Sequence, residues 1–254
     1  MESSFYQEHF ASEDWDWWHQ GRQRVLAAVL DDALGPRAQR EDVDVLDVGC
    51  GTGSTTAFLG SHRRVVGCDF ATEALGFSAR RGLSSLVQAG AERLPFTDRS
   101  FDVVLALDVL EHHDDDARVA KELARVARPG GVVLITVPAF SFLWGPHDVI
   151  SHHRRRYRMP ALIALLERAG LAIKLATYFN ALLFPLVLAV QTARRLIRGG
   201  AAPRPASDNP DRMPRAVNAL LRETFAAEAR WLPQHRFPLG VSALVVATPI
   251  GEAA

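Results

Sequence analysis

Cysteine is scarce in this sequence, which has only Cys50 and Cys68 among its 254 residues and no C-x-x-C pair. Two isolated thiols provide neither a disulfide framework nor a thiolate metal cluster. We therefore predict reduced thiols at neighbouring strand ends, as expected for a cytoplasmic protein, and no metal.

An excess of charge of one sign is also missing, since 29 Lys and Arg balance 29 Asp and Glu. No overall field would attract nucleic acid, and the arginine run at 154–156 lacks the surrounding basicity and interleaved aromatics of an RNA-binding surface. We expect no nucleic-acid partner.

Long apolar runs are absent as well. The N-terminus has no basic segment followed by an apolar one, so no signal peptide is expected. The apolar stretch 180–190 is shorter than the about 20 residues that span a bilayer, and Arg194, Arg195 and Arg198 follow it. Three interpretations stay open: packing on the sheet, a homodimer contact, or peripheral membrane contact through 180–198.

The main positive signal is an apolar run at 43–48 that ends at three closely spaced glycines, Gly49, Gly51 and Gly53. This pattern predicts a buried parallel strand, a tight turn and a helix whose first N–H groups face a ligand. Further apolar runs predict strands at 65–69, 83–88, 101–107, 132–137, 171–178 and 243–248, with helices at 54–61, 71–81, 117–127 and 160–169 between them. Such alternation predicts one α/β domain over 1–254, with a doubly wound, mostly parallel sheet and its ligand at the carboxyl ends of the strands.

The glycine spacing separates two classes of ligand. A dinucleotide fingerprint, G-x-G-x-x-G, would need glycine at Ser54. Here the pattern is D-x-G-x-G-x-G from Asp47 to Gly53, and a second acid, Asp69, ends the next strand. In these residues the chain resembles the class I S-adenosylmethionine-dependent methyltransferases. The resemblance implies a seven-stranded sheet with an antiparallel last strand, S-adenosylmethionine as cofactor and S-adenosylhomocysteine as product.

The resemblance also assigns cofactor contacts. The loop residues Asp47, Gly49, Cys50, Gly51 and Gly53 would hold the methionine end, and Asp69, followed by Phe70, would hold the ribose. The segment 90–96, G-A-E-R-L-P-F, resembles the family's D-A-x-x-L-P-F beside the adenine, with Gly90 in place of the usual Asp. Adenine would then be held near Ala91 or by Glu92. Leu107 and His112, at the end of the fourth strand, would lie beside the transferred methyl, although His112 could instead be only structural.

The N-terminal 1–40 resembles a helical lid of the family, with Trp18 over the cofactor and Arg22 or Arg24 reaching its carboxylate. The alternative is that the tryptophans only attach this helix to the sheet.

The connection 139–157 resembles a bacterial subgroup with the shape L-W-x-x-H-D-x-x-x-x-H-x-R-R-Y. Its matching residues predict a base at His147 or His153 with Asp148 as orienter, and an acceptor site formed by Trp144, Arg155, Arg156 and Tyr157. In the alternative, the arginines pair with carboxylates and fix the loop. A zinc site of three histidines is disfavoured without thiols or an outer shell of partners.

A helical insertion at 180–232, with a Gly- and Pro-rich linker at 199–214, would precede the last strand. We therefore expect a methyltransferase for a small-molecule or lipid-linked acceptor. The alternatives are a non-catalytic cofactor-binding scaffold and a nicotinamide-dependent oxidoreductase.

Overall fold

The architecture is taken from a computed structural model that describes residues 3–61, 63–197 and 213–251. Seven strands form one sheet in the order β3-β2-β1-β4-β5-β7-β6, parallel except for β7, which is antiparallel to both neighbours. Their bounds are β1 Asp44–Val48, β2 Arg64–Asp69, β3 Leu86–Gln88, β4 Phe101–Leu107, β5 Ala127–Pro138, β6 Leu171–Phe179 and β7 Ser242–Pro249. The predicted doubly wound sheet with an antiparallel last strand is confirmed.

Helices cover both faces of the sheet and bury its apolar residues. They are α1 Ser3–Ser12, α2 Trp17–Leu34, α3 Ser54–Leu59, α4 Thr72–Arg80, α5 Asp116–Val126, α6 Pro146–Ile150, α7 Met159–Arg168, α8 Phe184–Ile197 and α9 Arg215–Ala226. One core cluster joins the sheet to α5 and α7, and the other joins it to α2, α3 and α9. Because β4 and β5 are covered on both sides, they are near-continuous apolar runs rather than alternating ones.

Several boundaries differ from the predictions. Strand β5 begins at Ala127 rather than at 132, and β3 begins at Leu86 rather than at 83. The connection 139–157 contains a short 3₁₀ turn, Ser141–Leu143, and α6. Within the predicted helical insertion, α9 ends at Ala226 and continues as a 3₁₀ turn, Ala227–Arg230.

The N-terminal segment forms two helices rather than one. Asp16 ends the break between them and caps α2, since its side chain accepts hydrogen bonds from the backbone N–H groups of Trp18 and His19. The Trp17 ring packs on Phe225 of α9, and a Cβ at Gly21 would lie 2.7 Å from the Phe225 ring. Trp17 and Gly21 thus bring α2 and α9 into close contact.

Helix α8 keeps part of its apolar surface in solvent, with Leu186, Leu188, Val190 and Leu196 exposed. None of the described helices has the length and apolarity needed to cross a membrane. The side chains of Arg194 and Arg195, the residue Arg198 and most of the predicted linker lie outside the described residues. Membrane and homodimer contacts through this helix stay predictions.

Candidate active site

Backbone strain is concentrated at the carboxyl edge of the sheet. Asp108 directly after β4, Phe140 two residues after β5 and Asn180 directly after β6 have φ values of +61°, +54° and +54°. Gly49, directly after β1, has φ +72°. Left-handed conformations in non-glycine residues are costly and tend to persist at functional sites, so this edge is the first place to look for one.

The glycine loop and Asp69 form one unit. The backbone N–H of Gly51 donates to Asp69 Oδ2 at 3.0 Å, and Asp69 Oδ1 accepts from the N–H of Ala71 at 2.9 Å. A Cβ at Gly49 would lie 2.7 Å from the Val109 side chain, whereas a Cβ at Gly51 would meet no atom within 4 Å. Glycine at 49 therefore permits close packing, and the side of the loop at Gly51 is open for a ligand.

Asp47 lies beneath this loop and is buried. Its Oδ2 accepts the Thr56 hydroxyl at 2.5 Å, and burial raises its pKa to about 6. Helix α2 is fixed to the same region because Gln23 Nε2 donates to the Ser54 hydroxyl at 2.9 Å. Asp47 is therefore a carboxylate held ready beside the first turn of α3.

Both cysteines are free thiols. Cys50 is half-buried in the loop and Cys68 is buried at the end of β2. Burial raises the pKa of both thiols, that of Cys68 to about 11. Neither thiol would be ionised near neutral pH, so both are packing groups rather than nucleophiles.

On the other side of Asp69 the predicted adenine contacts form an open rim. Phe70 is 64% exposed, Ala91 and Leu107 are buried, and Gly90 has open space where a Cβ would stand. Glu92 Oε1 lies 3.0 Å from His113 Nδ1, so this carboxylate already has a partner. The rim can accept a flat aromatic group against Phe70.

Helix α1 closes over the glycine loop. Tyr6 is buried, and its pKa is raised to about 12 by burial and by the nearby charges of Asp69 and Glu73. Glu13 pairs with Arg81 Nη2 at 2.9 Å and accepts the hydroxyl of Thr52 in the loop. The lid over 1–40 stays a prediction, and α1 lies over the glycine loop on the side of Asp69.

Arg22 of α2 crosses the site towards the ends of β4 and β5. Its Nη2 lies 2.7 Å from Asp108 Oδ2 and donates to the Thr136 hydroxyl at 2.9 Å. Its guanidinium carbon lies 4.9 Å from the centre of the Trp18 ring, within cation–π range. The buried Nε has no hydrogen-bond partner among the described residues.

The connection after β5 is organised around Asp148, which is fully buried. Asp148 accepts from His153 Nδ1 at 2.9 Å, from Arg156 at 2.8 and 2.9 Å, and from the N–H of Gly145 at 2.7 Å. Burial opposes ionisation, but the hydrogen bonds from His153 and Arg156 lower the pKa of Asp148 below its ordinary value. Asp148 therefore orients His153 rather than its neighbour in sequence, His147.

Three histidine rings meet above the strand ends. The centroid of His153 lies 4.9 Å from that of His112 and 5.7 Å from that of His147, both edge to face. Burial and the adjacent His153 lower the pKa of His112 to about 4. His112 is thus neutral near pH 7 and can accept a hydrogen bond or bind a cation through its lone pair.

The remaining predicted acceptor residues hold the connection in place. Arg155 Nη1 and the Tyr157 hydroxyl both contact Asp116 Oδ2, at 3.0 and 2.8 Å. Trp144 is half-buried next to the start of α6. The charged ends of Arg155 and Arg156 are therefore occupied by carboxylates, as the fixed-loop alternative requires, and acceptor contacts by these residues stay predictions.

Four polar residues of the site were not predicted from the sequence: Tyr6, Glu13, Asp108 and Glu111. Asp108 had a signal, because a polar residue directly after a buried strand lies at the carboxyl edge. Glu111 precedes His112 but was not singled out. Tyr6 and Glu13 reach the site only through the packing of α1.

The site fits the cofactor that the resemblance implies. Asp69 has two of its about four lone-pair positions occupied, which leaves acceptors for ribose hydroxyls. The unpartnered Nε of Arg22 is a buried donor that a carboxylate would satisfy. The open space at Gly51 allows the part of the cofactor between its ribose and its carboxylate to approach the backbone closely.

Comparisons with known proteins show what the chain is similar to. Residues 46–135 match the family described as "Methyltransferase domain". A probable S-adenosylmethionine-dependent methyltransferase of Mycolicibacterium smegmatis is 34% identical over 135 residues, 52% of this chain and 52% of that protein. A demethylmenaquinone methyltransferase of Corynebacterium kroppenstedtii is 34% identical over 126 residues, 44% of this chain and 55% of that protein.

The chain thus spans about half the length of these curated relatives. Among solved structures, a chain from the complex of the Haloferax volcanii Trm112 methyltransferase activator with a methyltransferase has a TM-score of 0.62 at 18% identity. That alignment covers 99% of this chain and 96% of the other, and it shows the shared fold.

Proposed function

We propose that this chain, in which residues 46–135 match a methyltransferase family, is a class I S-adenosylmethionine-dependent methyltransferase that transfers a methyl group from S-adenosylmethionine to a small-molecule or lipid-linked acceptor. The observation that carries the proposal is the hydrogen bond from the Gly51 N–H to Asp69 Oδ2 at 3.0 Å. It joins the glycine loop and the strand-end carboxylate into one site that can hold both ends of an adenosyl amino acid.

The residues of the chain divide the binding work. Asp69 would accept the ribose hydroxyls, Phe70 would cover the adenine, and Asp47 with the loop would bind the amino acid end. Arg22 would hold the cofactor carboxylate through its Nε, while its Nη2 stays paired with Asp108. Each contact places the ligand along the carboxyl edge, between α1 and the strand ends.

When bound, S-adenosylmethionine supplies a sulfonium methyl group that a nucleophile attacks in line, so the protein mainly positions and desolvates the acceptor. Helix α1 and the connection 139–157 would exclude water from the strand ends. His147 or His153 would accept a proton from a hydroxyl or ammonium acceptor, with Asp148 keeping the His153 ring oriented.

The acceptor side is open to an apolar molecule. Exposed leucines on α8 and the exposed Phe142 of the connection 139–157 provide apolar surface for such an acceptor. One relative is named a demethylmenaquinone methyltransferase. A lipid-linked acceptor would be reached by peripheral contact of the 180–198 segment with a membrane. The two free thiols fit a cytoplasmic location.

The first experiment is calorimetric titration of the purified protein with S-adenosylhomocysteine, with NAD run in parallel. Selective binding of S-adenosylhomocysteine that is lost in Asp69→Ala supports the proposal. Asp42→Ala is the matched control, because Asp42 pairs with exposed Arg40 and precedes β1 at the opposite edge. Binding of NAD alone would contradict the assigned cofactor.

A second measurement separates the enzyme from a scaffold. The protein is incubated with S-adenosylmethionine carrying a labelled methyl group and with aqueous and lipid extracts of bacterial cells. Label transferred to either fraction supports catalysis. Tight binding with no transfer across both fractions would favour the non-catalytic scaffold.

A further inference from the structure

Among the described residues, Glu111 is the one carboxylate with both oxygens buried and without a hydrogen-bond partner. It is 0% exposed, and neither of its carboxylate oxygens has a hydrogen-bond partner among the described residues. Burying a carboxyl group without a partner is costly, and native proteins rarely leave such groups unsatisfied. A ligand that binds the Glu111 carboxylate at this position would offset the free-energy cost of burying it.

Two imidazoles face the same carboxylate. His153 Nε2 lies 4.0 Å from Glu111 Oε1. The ligand atoms of Glu111, His112 and His153 all lie within 4.8 Å of one another. Zinc binds imidazole nitrogen at about 2.0–2.1 Å and carboxylate oxygen at about 2.0–2.2 Å. An ion bonded to both atoms would span the gap after a small inward rotation of the side chains.

The tautomer of His153 is the one that a cation requires. Asp148 Oδ1 lies 2.9 Å from Nδ1 and accepts a hydrogen bond from it, so Nε2, 4.0 Å from Glu111 Oε1, is the ring nitrogen that remains to bind a cation. A carboxylate behind a ligating histidine is the usual outer partner at metal sites. Asp148 is itself held by Arg156 and by the Gly145 N–H, so the orientation of the ring is fixed from behind.

The nearby charges do not replace the missing partner. Asp108 is engaged by Arg22 and by the Thr136 hydroxyl. Arg156 is bound to Asp148 and to the carbonyl of Ala139. Both arginines are close enough to influence Glu111, but neither forms a hydrogen bond with it.

We propose that Glu111, His112 and His153 bind a divalent first-row transition metal ion, of the zinc type, at the carboxyl end of β4. One carboxylate and two imidazoles are a donor set that favours such ions over magnesium or calcium. Three protein ligands leave open positions for water or for an acceptor oxygen. Because Nε2 of His153 is then a metal ligand, His147 is the candidate base that remains for the acceptor. This proposal replaces our expectation that the protein binds no metal. That expectation considered thiolates and a site of three histidines without outer partners, whereas this site has the carboxylate of Glu111 as a ligand and Asp148 as the outer partner.

The test uses the full chain after removal of metal with a chelator, and cobalt(II) as a spectroscopic probe. We expect one equivalent of cobalt to bind with visible absorption bands of a four- or five-coordinate ion, and zinc to displace it. Glu111→Gln and His153→Gln should each weaken binding by at least the about 10–100-fold that changes in outer partners cause. Both substitutions keep side-chain volume close to the original, and circular dichroism verifies folding.

Two histidines next to the proposed ligands in sequence serve as controls. His113→Ala and His152→Asn change histidines that lie outside the cluster, and asparagine suits the left-handed backbone of residue 152. Their cobalt affinity should equal that of the unmodified protein. A folded protein that binds no stoichiometric metal would overturn the proposal. Equal binding by Glu111→Gln and His153→Gln, or equal loss in the controls, would also overturn it.

This test needs neither cofactor nor turnover. If the protein does not bind S-adenosylhomocysteine, the proposed function is contradicted and the metal site is unaffected. If it does not bind cobalt, the metal site is contradicted and the proposed function is unaffected.

Discussion

Arg22 and Asp108 form an ion pair across the mouth of the site, with Nη2 and Oδ2 2.7 Å apart. Arg22 belongs to the second helix and is 7% exposed, and Asp108 is the strained residue that ends β4. Thr136 of β5 completes the arrangement, because its hydroxyl accepts from Arg22 and donates to Asp108 Oδ1. Helix α2 and strands β4 and β5 are therefore joined at the point where the cofactor carboxylate is expected.

Replacing Arg22 should weaken both the fold and cofactor binding. In Arg22→Lys a single ammonium cannot satisfy Asp108 and Thr136 while also donating to a ligand. We expect at least a tenfold loss of S-adenosylhomocysteine affinity, about 1.4 kcal/mol, and a lower melting temperature. Arg24→Lys is the control, since Arg24 pairs with Glu223 on the surface. Calorimetry showing equal affinity for both variants would contradict the role of Arg22.

Adding the missing acid at position 90 should strengthen adenine binding. A Cβ there meets no atom within 4 Å, and the backbone is not left-handed, so Gly90→Asp is accommodated without strain. Its carboxylate would accept from the adenine amino group, and we expect roughly 10- to 100-fold tighter binding, the equivalent of the about 1.5–3 kcal/mol of a hydrogen bond to a charged group. Gly90→Ala adds bulk without an acceptor and should leave the dissociation constant unchanged. If both variants bind alike, adenine does not reach residue 90.

Asp47 should stabilise the bound state at the expense of the empty protein. Its folded pKa of about 6 lies above the ordinary 3.8, so the native state holds the proton more tightly than the unfolded chain. Its contribution to stability is complete below about pH 4 and is lost as pH rises through 6. At pH 8 Asp47→Asn should raise the melting temperature by about 2–4 °C and weaken S-adenosylhomocysteine binding.

Asp102→Asn is the control for this change. Asp102 pairs with Arg37 and Arg128 at 2.5 Å each, so its loss should lower the melting temperature. Thermal denaturation of both variants without ligand measures this difference. If the melting temperature of Asp47→Asn fell as much as that of Asp102→Asn, the charged form of Asp47 would not destabilise the empty protein.

Mild acid should destabilise the folded protein through His9 of α1. Burial and the charge of the nearby His147 lower the pKa of His9 to about 4, below the ordinary 6.5. A depressed histidine pKa gives stability that is complete above about pH 6.5 and is lost as pH falls towards 4. Urea titrations at pH 7.5 and 5 should differ by up to about 2 kcal/mol from this group alone. His9→Gln should reduce the difference, whereas His235→Gln, on the exposed surface, should retain it.

The sequence predicts where the glycine loop and Asp69 lie, because both are local features of strand ends; their contacts with a cofactor stay predictions. The loop from Asp47 to Gly53 and the acid at Asp69 follow directly from strand and glycine patterns, and β4 begins and ends where its apolar run does. The helical character of 1–40 was predicted, but α1 as a separate helix was not, because Tyr6 and Phe10 provide only one pair of apolar residues at helical spacing. Contacts with α4, including that between Phe10 and Phe77, hold the helix in place.

The acceptor half was predicted only as a set of residues. Spacing alone places His147 next to Asp148, yet the chain turns so that Asp148 contacts His153, five residues later. The burial of Glu111 depends on three separate segments and is invisible in any local window. Long-range pairing of polar groups is what the patterns could not supply.

The segments that form the two halves of the site are separate in sequence. The loop residues and Asp69 fall within 46–135, the part that matches the methyltransferase family, whereas Asp148 and His153 lie beyond it. The two ends of the later segment are joined to each other by a bridge between Ala139 and Tyr157, directly after β5. Exchange of 139–157 between relatives should therefore transplant the choice of acceptor while leaving the donor unchanged, so that substrate range can diversify on a constant nucleoside-binding framework.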